Sequence, residues 1–157
     1  MAKLPNNLKL VSTIGICLAA GALGSVFTTP AIGSWYSTLV KPSFNPPNWL
    51  FAPVWTSLYI LMGIAWYLVW KKPGKKSILA NRIFLFQLGL NVLWSYLFFG
   101  LHQPLWAVIE IVVLWLAIAA TIKTFAYVSK PAAYLLLPYL VWVTFASFLN
   151  LNIVLLN

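Results

Sequence analysis

Five long apolar runs limit what this chain can fold into. The runs cover approximately residues 8–27, 49–70, 79–99, 105–127 and 132–155. A helix rises about 1.5 Å per residue, so about 20 apolar residues cross the roughly 30 Å hydrocarbon core of a bilayer. Each run has that length, and the connections between them are short. We therefore expect an all-α fold, an integral membrane bundle of five transmembrane helices, formed by a single domain over residues 1–157.

The composition supports a membrane protein. Of the 157 residues, 62% are hydrophobic and 7% are charged, whereas about a quarter of the residues in ordinary soluble domains are charged. The first run has a second interpretation as a signal peptide, because Ala20-Gly21-Ala22 resembles a signal-peptidase site. The apolar run continues past that site to Phe27, which favours a retained helix.

The charges predict the orientation and exclude nucleic acid as a partner. Ten Lys and Arg residues stand against one acid, Glu110, and they lie between the apolar runs, where the bilayer supplies their partners. If five helices alternate, Lys41 stands alone on one side. The other side carries Lys3, Lys9, Lys71, Lys72, Lys75, Lys76, Arg82, Lys123 and Lys130. The positive-inside rule then predicts a multi-pass protein of the cell (inner) membrane with a cytoplasmic N terminus.

Several kinds of chemistry are excluded by residue type. The chain has one histidine, His102, one cysteine, Cys17, and no aspartate. These residues cannot form a cysteine metal site, a bis-histidine haem site or a Ser-His-Asp triad. We therefore predict no metal and no resident cofactor, and we assign no firm catalytic residue.

The nine tryptophans indicate an aromatic cavity. An interfacial belt of aromatic residues explains Trp49, Trp70 and Trp106, which lie near the ends of their runs. It explains Trp55 and Trp142 poorly, because both lie well inside their spans and need an N–H partner or a ligand to stack on. We expect them to line a cavity beneath the Pro-rich segment 29–48, together with Phe51, Tyr59, Tyr139 and Phe145.

Polar residues inside the spans leave alternatives open. Gln87 and Asn91 are four residues apart, on one face of the third helix, where interhelical hydrogen bonding is the main interpretation. Glu110 lies about a turn and a half inside the fourth span. It could extend toward the interface, be protonated, or bind a cation.

The segment after the first span carries a specific motif. Residues 35–47 read W-Y-x-x-L-x-K-P-x-x-x-P-P, and Pro53-Val54-Trp55-Thr56-Ser57-Leu58-Tyr59 follows. Further matches are Gln87, Asn91 and Trp94, then Phe98-Phe99-Gly100, Trp106 with Glu110, and Pro138-Tyr139-Leu140 with Trp142. With these motifs the chain resembles the TspO/MBR family, the tryptophan-rich sensory proteins and mitochondrial translocator (peripheral benzodiazepine receptor) proteins.

The resemblance implies a ligand and a pocket. Members are five-helix bundles, usually homodimers, that bind tetrapyrroles such as protoporphyrin IX and, in animals, cholesterol and benzodiazepine-type drugs. The implied pocket residues are Phe51, Ala52, Val54, Trp55, Asn91, Trp94, Trp106, Ile109, Trp142, Ala146 and Leu149. From the long loop above the pocket we add Trp35 and Lys41, whose charge could meet the porphyrin propionates.

Three functions follow as hypotheses. The leading one is a protein that binds tetrapyrroles and transports them or senses their level. The second is light-dependent porphyrin degradation, for which Trp55 and Trp142 are the catalytic candidates. The third is a small exporter that uses Glu110 for ion exchange.

The resemblance also implies a sterol- or lipid-binding translocator as an alternative. Leu151 and Leu155 replace the Tyr and Arg of the animal cholesterol-recognition segment, which disfavours a sterol.

Overall fold

The long helices of the computed structural model, which describes residues 5–157, correspond to the apolar runs of the sequence. The helices are α1 (Asn6–Ile32), α2 (Trp35–Thr38), α3 (Asn48–Trp70), α4 (Lys75–Ser95), α5 (Pro104–Val128), α6 (Lys130–Leu135) and α7 (Leu137–Leu156). A π-helical turn, Tyr96–Gly100, extends α4, and α6 with α7 forms the last span. All five spans are long and apolar enough to cross a bilayer, which confirms the predicted fold class.

Some helix boundaries differ from the predicted ones, at positions near a glycine or a proline. α1 continues through Pro30 to Ile32, and α2 forms a turn of helix within the segment that we predicted to be a loop. α4 begins at Lys75, four residues before the predicted run 79–99, because Gly74 reverses the chain at φ 132°. Such a positive φ favours glycine.

Close helix packing brings α1 against α3. A Cβ atom on Gly63 would lie 2.5 Å from the Ile14 Cα atom, so the two backbones touch at this point. At Gly21 an added Cβ would lie 2.5 Å from the Tyr59 ring. Small residues at helix crossings permit such approach in membrane bundles. α1 is therefore an integral part of the bundle wall.

The bundle has two chemically different ends. Lys72 Nζ donates to the Val128 carbonyl over 2.8 Å, and Lys9 lies 6.0 Å from the Trp70 ring centre. We call this the basic end. The opposite, loop end carries residues 33–47, the turn 101–103 and Lys41. Within residues 5–157 the cations therefore segregate as the alternation of spans predicts; Lys3 lies outside the described residues.

Candidate ligand cavity

A cavity of about 430 Å³ lies in the loop-end half of the bundle. Its walls come from α1, α3, the end of α4 with its π turn, and α7, and Tyr36 of α2 lies over it. The lining residues are Leu18, Gly21, Ala22, Gly24, Ser25, Thr28, Thr29, Ile32, Tyr36, Asn48, Phe51, Ala52, Trp55, Thr56, Tyr59, Trp94, Ser95, Phe98, Phe99, Trp142, Ala146, Leu149, Asn150 and Ile153. This volume is within the range of small-molecule sites, roughly 300–1,000 Å³.

Much of the predicted pocket is brought together at this cavity. Of the residues named from sequence, those on its wall are Phe51, Ala52, Trp55, Trp94, Trp142, Ala146 and Leu149. The Trp55 ring stacks on Tyr59 with centroids 5.6 Å apart, and Phe51 meets Trp142 edge-on at 6.1 Å. These contacts hold the aromatic rings in place.

Two hydrogen-bonded chains support the wall from behind. The Tyr59 hydroxyl donates to Asn91 Oδ1, and Asn91 Nδ2 donates to the Tyr139 hydroxyl over 3.0 Å. The Tyr139 hydroxyl then donates to Gln87 Oε1 over 3.1 Å. These bonds join α3, α4 and α7, which confirms the interhelical role predicted for Gln87 and Asn91. Asn91 therefore lies behind Tyr59 and supports the cavity without lining it.

The second chain fixes the Trp94 indole. Trp94 Nε1 donates to Asn150 Oδ1 over 3.2 Å, and Asn150 Nδ2 donates to the Pro104 carbonyl over 3.0 Å. Asn150 thus links the cavity wall to the start of α5. Both polar atoms of the Asn150 amide are hydrogen-bonded. The Trp94 N–H already has an acceptor, so a ligand would contact only the indole ring.

Trp142 differs from the other cavity tryptophans in its indole N–H. The Nε1 atom is shielded from solvent and has no acceptor among the described residues. A buried N–H group without an acceptor is disfavoured. Because the atom is shielded from the cavity as well, the indole must turn before a ligand can accept from it.

Trp106 and Ile109 lie outside the cavity, which corrects the lining that the resemblance implies. Their side chains are 59% and 52% exposed on the outer face of α5. The helical period instead directs Ala107, Glu110 and Ile111 into the bundle. Val54 is also absent from the lining, because it packs against the hydrophobic core. Tyr139 and Phe145 likewise do not line the cavity and lie behind Trp55 and Trp142.

Trp35 and Lys41 belong to the cover of the cavity, not to its wall. Trp35 stacks on His102 with ring centroids 4.4 Å apart, which ties α2 to the turn before α5. Lys41 Nζ donates to the Leu39 carbonyl over 3.1 Å and lies 4.8 Å from the Tyr36 ring centre. Both residues therefore hold the loop-end cover in place.

Tyr36 is the cover residue that reaches the cavity. Its hydroxyl donates to Asn45 Oδ1 over 2.8 Å. Burial raises the pKa of Tyr36 above its ordinary value, and the hydrogen bond to Asn45 opposes this in part. The phenol therefore remains a neutral donor under ordinary conditions.

The α1 wall is the part of the site that sequence reasoning missed. Gly21, Ser25, Thr28 and Thr29 recur at helical spacing along α1 and line the cavity. Small residues in a membrane span are ordinarily interpreted as packing positions. The available signal was the combination of small and hydroxyl side chains on one face of α1.

Small side chains of α1 and α3 make room for the cavity. Ala22 and Ser25 on α1, and Ala52 and Thr56 on α3, line it and are exposed. Because these side chains are short, they leave space between the two helices at this level.

The described part of the chain has no set of side chains that could bind a metal ion. Residues 5–157 contain no group of three His, Cys, Asp or Glu side chains near enough to share an ion. His102, the one imidazole, lies in the exposed turn against Trp35 and does not line the cavity.

Comparison with known proteins confirms the family that the sequence motifs indicate. The TspO/MBR family model matches residues 13–156. The chain belongs to the TspO/MBR family. It is 51% identical to the tryptophan-rich protein TspO of Chlorobaculum tepidum over 152 residues, 96% of each chain. It is 48% identical to the protein of that name from Archaeoglobus fulgidus, over 97% of this chain and 99% of the relative.

The family resemblance extends to animal proteins. The human translocator protein is 40% identical to this chain over 146 residues, which cover 89% of this chain and 86% of the human one. As in other TspO/MBR members, the chain is an integral, multi-pass membrane protein.

Proposed function

We propose that this chain binds a flat tetrapyrrole such as protoporphyrin IX in the loop-end cavity and acts as a transporter or sensor of tetrapyrroles. One observation carries the proposal: three indoles, Trp55, Trp94 and Trp142, share the wall of one 430 Å³ cavity. Offset or edge-on contacts between aromatic rings contribute about 0.5–1.5 kcal/mol each beyond burial. A planar macrocycle can make several such contacts at once.

The polar groups around the cavity suit the rest of a tetrapyrrole. The Trp142 Nε1 donor has no acceptor among the described residues, and we expect the indole to turn it toward a pyrrole nitrogen or a carboxylate of the ligand. Lys41 is the cation of the loop end, and its ammonium group now rests on the Leu39 carbonyl. A propionate could replace that carbonyl as its partner, because charged hydrogen bonds are stronger than neutral ones.

The position of the cavity favours sensing over passive conduction. Most of its lining residues lie in the loop-end half of the bundle, and Leu18, Tyr59 and Trp142 lie near the middle of their spans. The other half is filled by side chains of the core, among them Ala65, Val69, Phe84 and Phe125, each 0% exposed. Transport would therefore require the packed half of the bundle to rearrange, whereas sensing requires only a change at the cavity wall.

Tryptophan fluorescence of the purified protein tests the proposal. Protoporphyrin IX, haem and cholesterol are titrated separately, and quenching is followed. We expect protoporphyrin IX and haem to bind with similar affinity, because His102 does not reach the cavity to ligate iron. We expect cholesterol to bind more weakly than both. Binding of haem alone, or of cholesterol alone, would contradict the proposal.

Light-driven oxidation of bound porphyrin is the second candidate. It is favoured by the positions of Trp55 and Trp142, which both line the cavity and could exchange an electron with an excited macrocycle while dissolved dioxygen accepts it. Illumination of protein and protoporphyrin IX in aerated buffer, compared with Trp142→Phe and with detergent alone, tests it. Equal loss of porphyrin in all three samples would exclude an enzymatic role.

A further inference from the structure

Glu110, the one acidic side chain of the sequence, is buried without a partner. It lies on the inward face of α5 and is 7% exposed. Neither carboxyl oxygen has a hydrogen-bond donor within the described residues. The sequence left three alternatives for Glu110: extension toward the membrane interface, protonation, or cation binding. Because the side chain is buried, extension toward the interface is wrong.

No charged side chain acts on the Glu110 carboxyl group. Glu110 lies within electrostatic reach of Tyr139, around which Tyr59 of α3 and Cys17 of α1 are the other ionisable groups. From α4 come the amides of Gln87 and Asn91, both bonded to Tyr139. The elements packed on α5 carry other ionisable residues, but their side chains are exposed and not buried with Glu110. These residues are Lys75, Lys76, Arg82, Tyr96, Lys130 and Tyr134. An ionised carboxylate would have no charge partner here.

A second unpaired group lies on the same network. Gln87 Nε2 is buried and has no acceptor, although Gln87 Oε1 accepts from Tyr139. A network with a free donor at Gln87 and a free carboxyl group nearby has two arrangements of its hydrogen bonds. With Glu110 neutral, Tyr139 can donate to Gln87, as observed. With Glu110 ionised, the carboxylate would attract the donors of Tyr139 and Gln87.

The network connects Glu110 to the cavity. Tyr59 is the first member of the chain that runs through Asn91 to Tyr139, and Tyr59 also lines the cavity. Reversal of the hydrogen bonds at Tyr139 would leave Asn91 and Tyr59 with altered partners. The cavity wall can thus respond to the protonation state of a group that does not touch the ligand.

We propose that Glu110 is an internal proton-binding site, and that the cavity accepts its ligand in the state in which Glu110 is protonated. The proposal rests on the proposed function only for its ligand, and the proton site can be tested without one. Glu110 is a regulatory residue here, since it acts on the ligand through Tyr139, Asn91 and Tyr59.

Infrared spectroscopy tests the proton site on the full-length protein without ligand. Because the sequence has one Glu and no Asp, ¹³C-labelled glutamate marks this side chain without any substitution. We expect a protonated C=O stretch that shifts with the label at neutral pH, is absent in Glu110→Gln, and moves in Tyr59→Phe. A label-sensitive carboxylate band alone, or a C=O band unchanged in Tyr59→Phe, would overturn the proposal.

A titration with protoporphyrin IX across alkaline pH tests the link to the cavity. We expect the wild-type affinity to fall by up to about tenfold per pH unit once Glu110 ionises. Glu110→Gln stays neutral and should retain its affinity, and it corrects for titration of the porphyrin itself. An equal fall in both proteins would overturn the link. If protoporphyrin IX binds neither protein at any pH, the proposed function fails, while the infrared result still decides the proton site.

Discussion

Val40 and Asn157 are joined by a reciprocal pair of hydrogen bonds, although 117 residues separate them. The Val40 N–H donates to Asn157 Oδ1 over 2.9 Å, and Asn157 Nδ2 donates to the Val40 carbonyl over 3.0 Å. The amide of Asn157 thereby pairs with the backbone as a neighbouring strand would. It fastens the cover of the cavity, residues 33–47, to the end of α7.

Asn157→Ala should loosen this cover. Three hydrogen bonds of the Asn157 amide are lost, the two to Val40 and one to the Ile153 carbonyl, and for these solvent-exposed bonds we expect a cost of about 1 kcal/mol in total. The Val40 amide should then exchange with deuterium roughly fivefold faster, and protoporphyrin IX should dissociate faster by a similar factor. Asn152→Ala is the control, because Asn152 Nδ2 bonds only the Phe148 carbonyl of its own helix. Equal exchange rates in both variants would show that the cover does not depend on Asn157.

The α1–α3 contact should be sensitive to one methyl group. Gly63→Ala places a Cβ atom 2.5 Å from the Ile14 backbone, so the helices must separate. We expect a loss of stability of about 1–3 kcal/mol, read as a lower midpoint of thermal unfolding in detergent. Gly89→Ala is the matched control, since no heavy atom lies within 4 Å of its added methyl. A control that loses as much stability as Gly63→Ala would refute the contact.

Trp142→Phe should weaken protoporphyrin binding while leaving the fold intact. Phenylalanine retains an aromatic ring but lacks the unpaired indole N–H. We expect a loss of about 0.5–1.5 kcal/mol of binding free energy, as for one neutral hydrogen bond. Trp49→Phe serves as control, because Trp49 is 72% exposed and does not line the cavity. If the two variants bind equally well, the Trp142 N–H has no role in recognition.

The basic end should face the cytoplasm. It carries Lys9, Lys71 and Lys72, whereas Lys41 stands at the loop end, and positive residues remain on the cytoplasmic side of membrane proteins. A reporter active only outside the cytoplasm should therefore function when fused after Asn157. A reporter active only in the cytoplasm serves as the reciprocal control. Activity of that control alone would reverse the orientation.

The sequence predicts the spans well because apolar length is a local property. Each of the five spans contains its predicted run, and the differences arise at Gly74 and Pro30, where single residues decide the boundary. The aromatic site was predictable to a similar degree, since Trp55 and Trp142 lie too deep for an interfacial belt. The facing directions of Trp106 and Ile109 were not predictable, because they depend on how α5 is rotated against α4 and α7.

The sequence also does not show which side chains contact each other across the bundle. The sequence does not show whether the Glu110 side chain contacts a lysine, a water molecule or no polar group. The structure shows that Glu110 is buried and that no described side chain donates to its carboxyl group. The α1 wall was missed for a similar reason, because Gly21 can serve packing or a cavity equally well.

The most direct test of the central claim is to fill the cavity without removing an aromatic residue. Ala52 lines the cavity and is exposed, so Ala52→Trp can project a ring into it, whereas Ala120→Trp adds the same ring to an exposed position on α5. Equilibrium titration with protoporphyrin IX should show binding by wild type and Ala120→Trp, and at least tenfold weaker binding by Ala52→Trp. Equal affinity in all three proteins would contradict the claim that this cavity binds the tetrapyrrole.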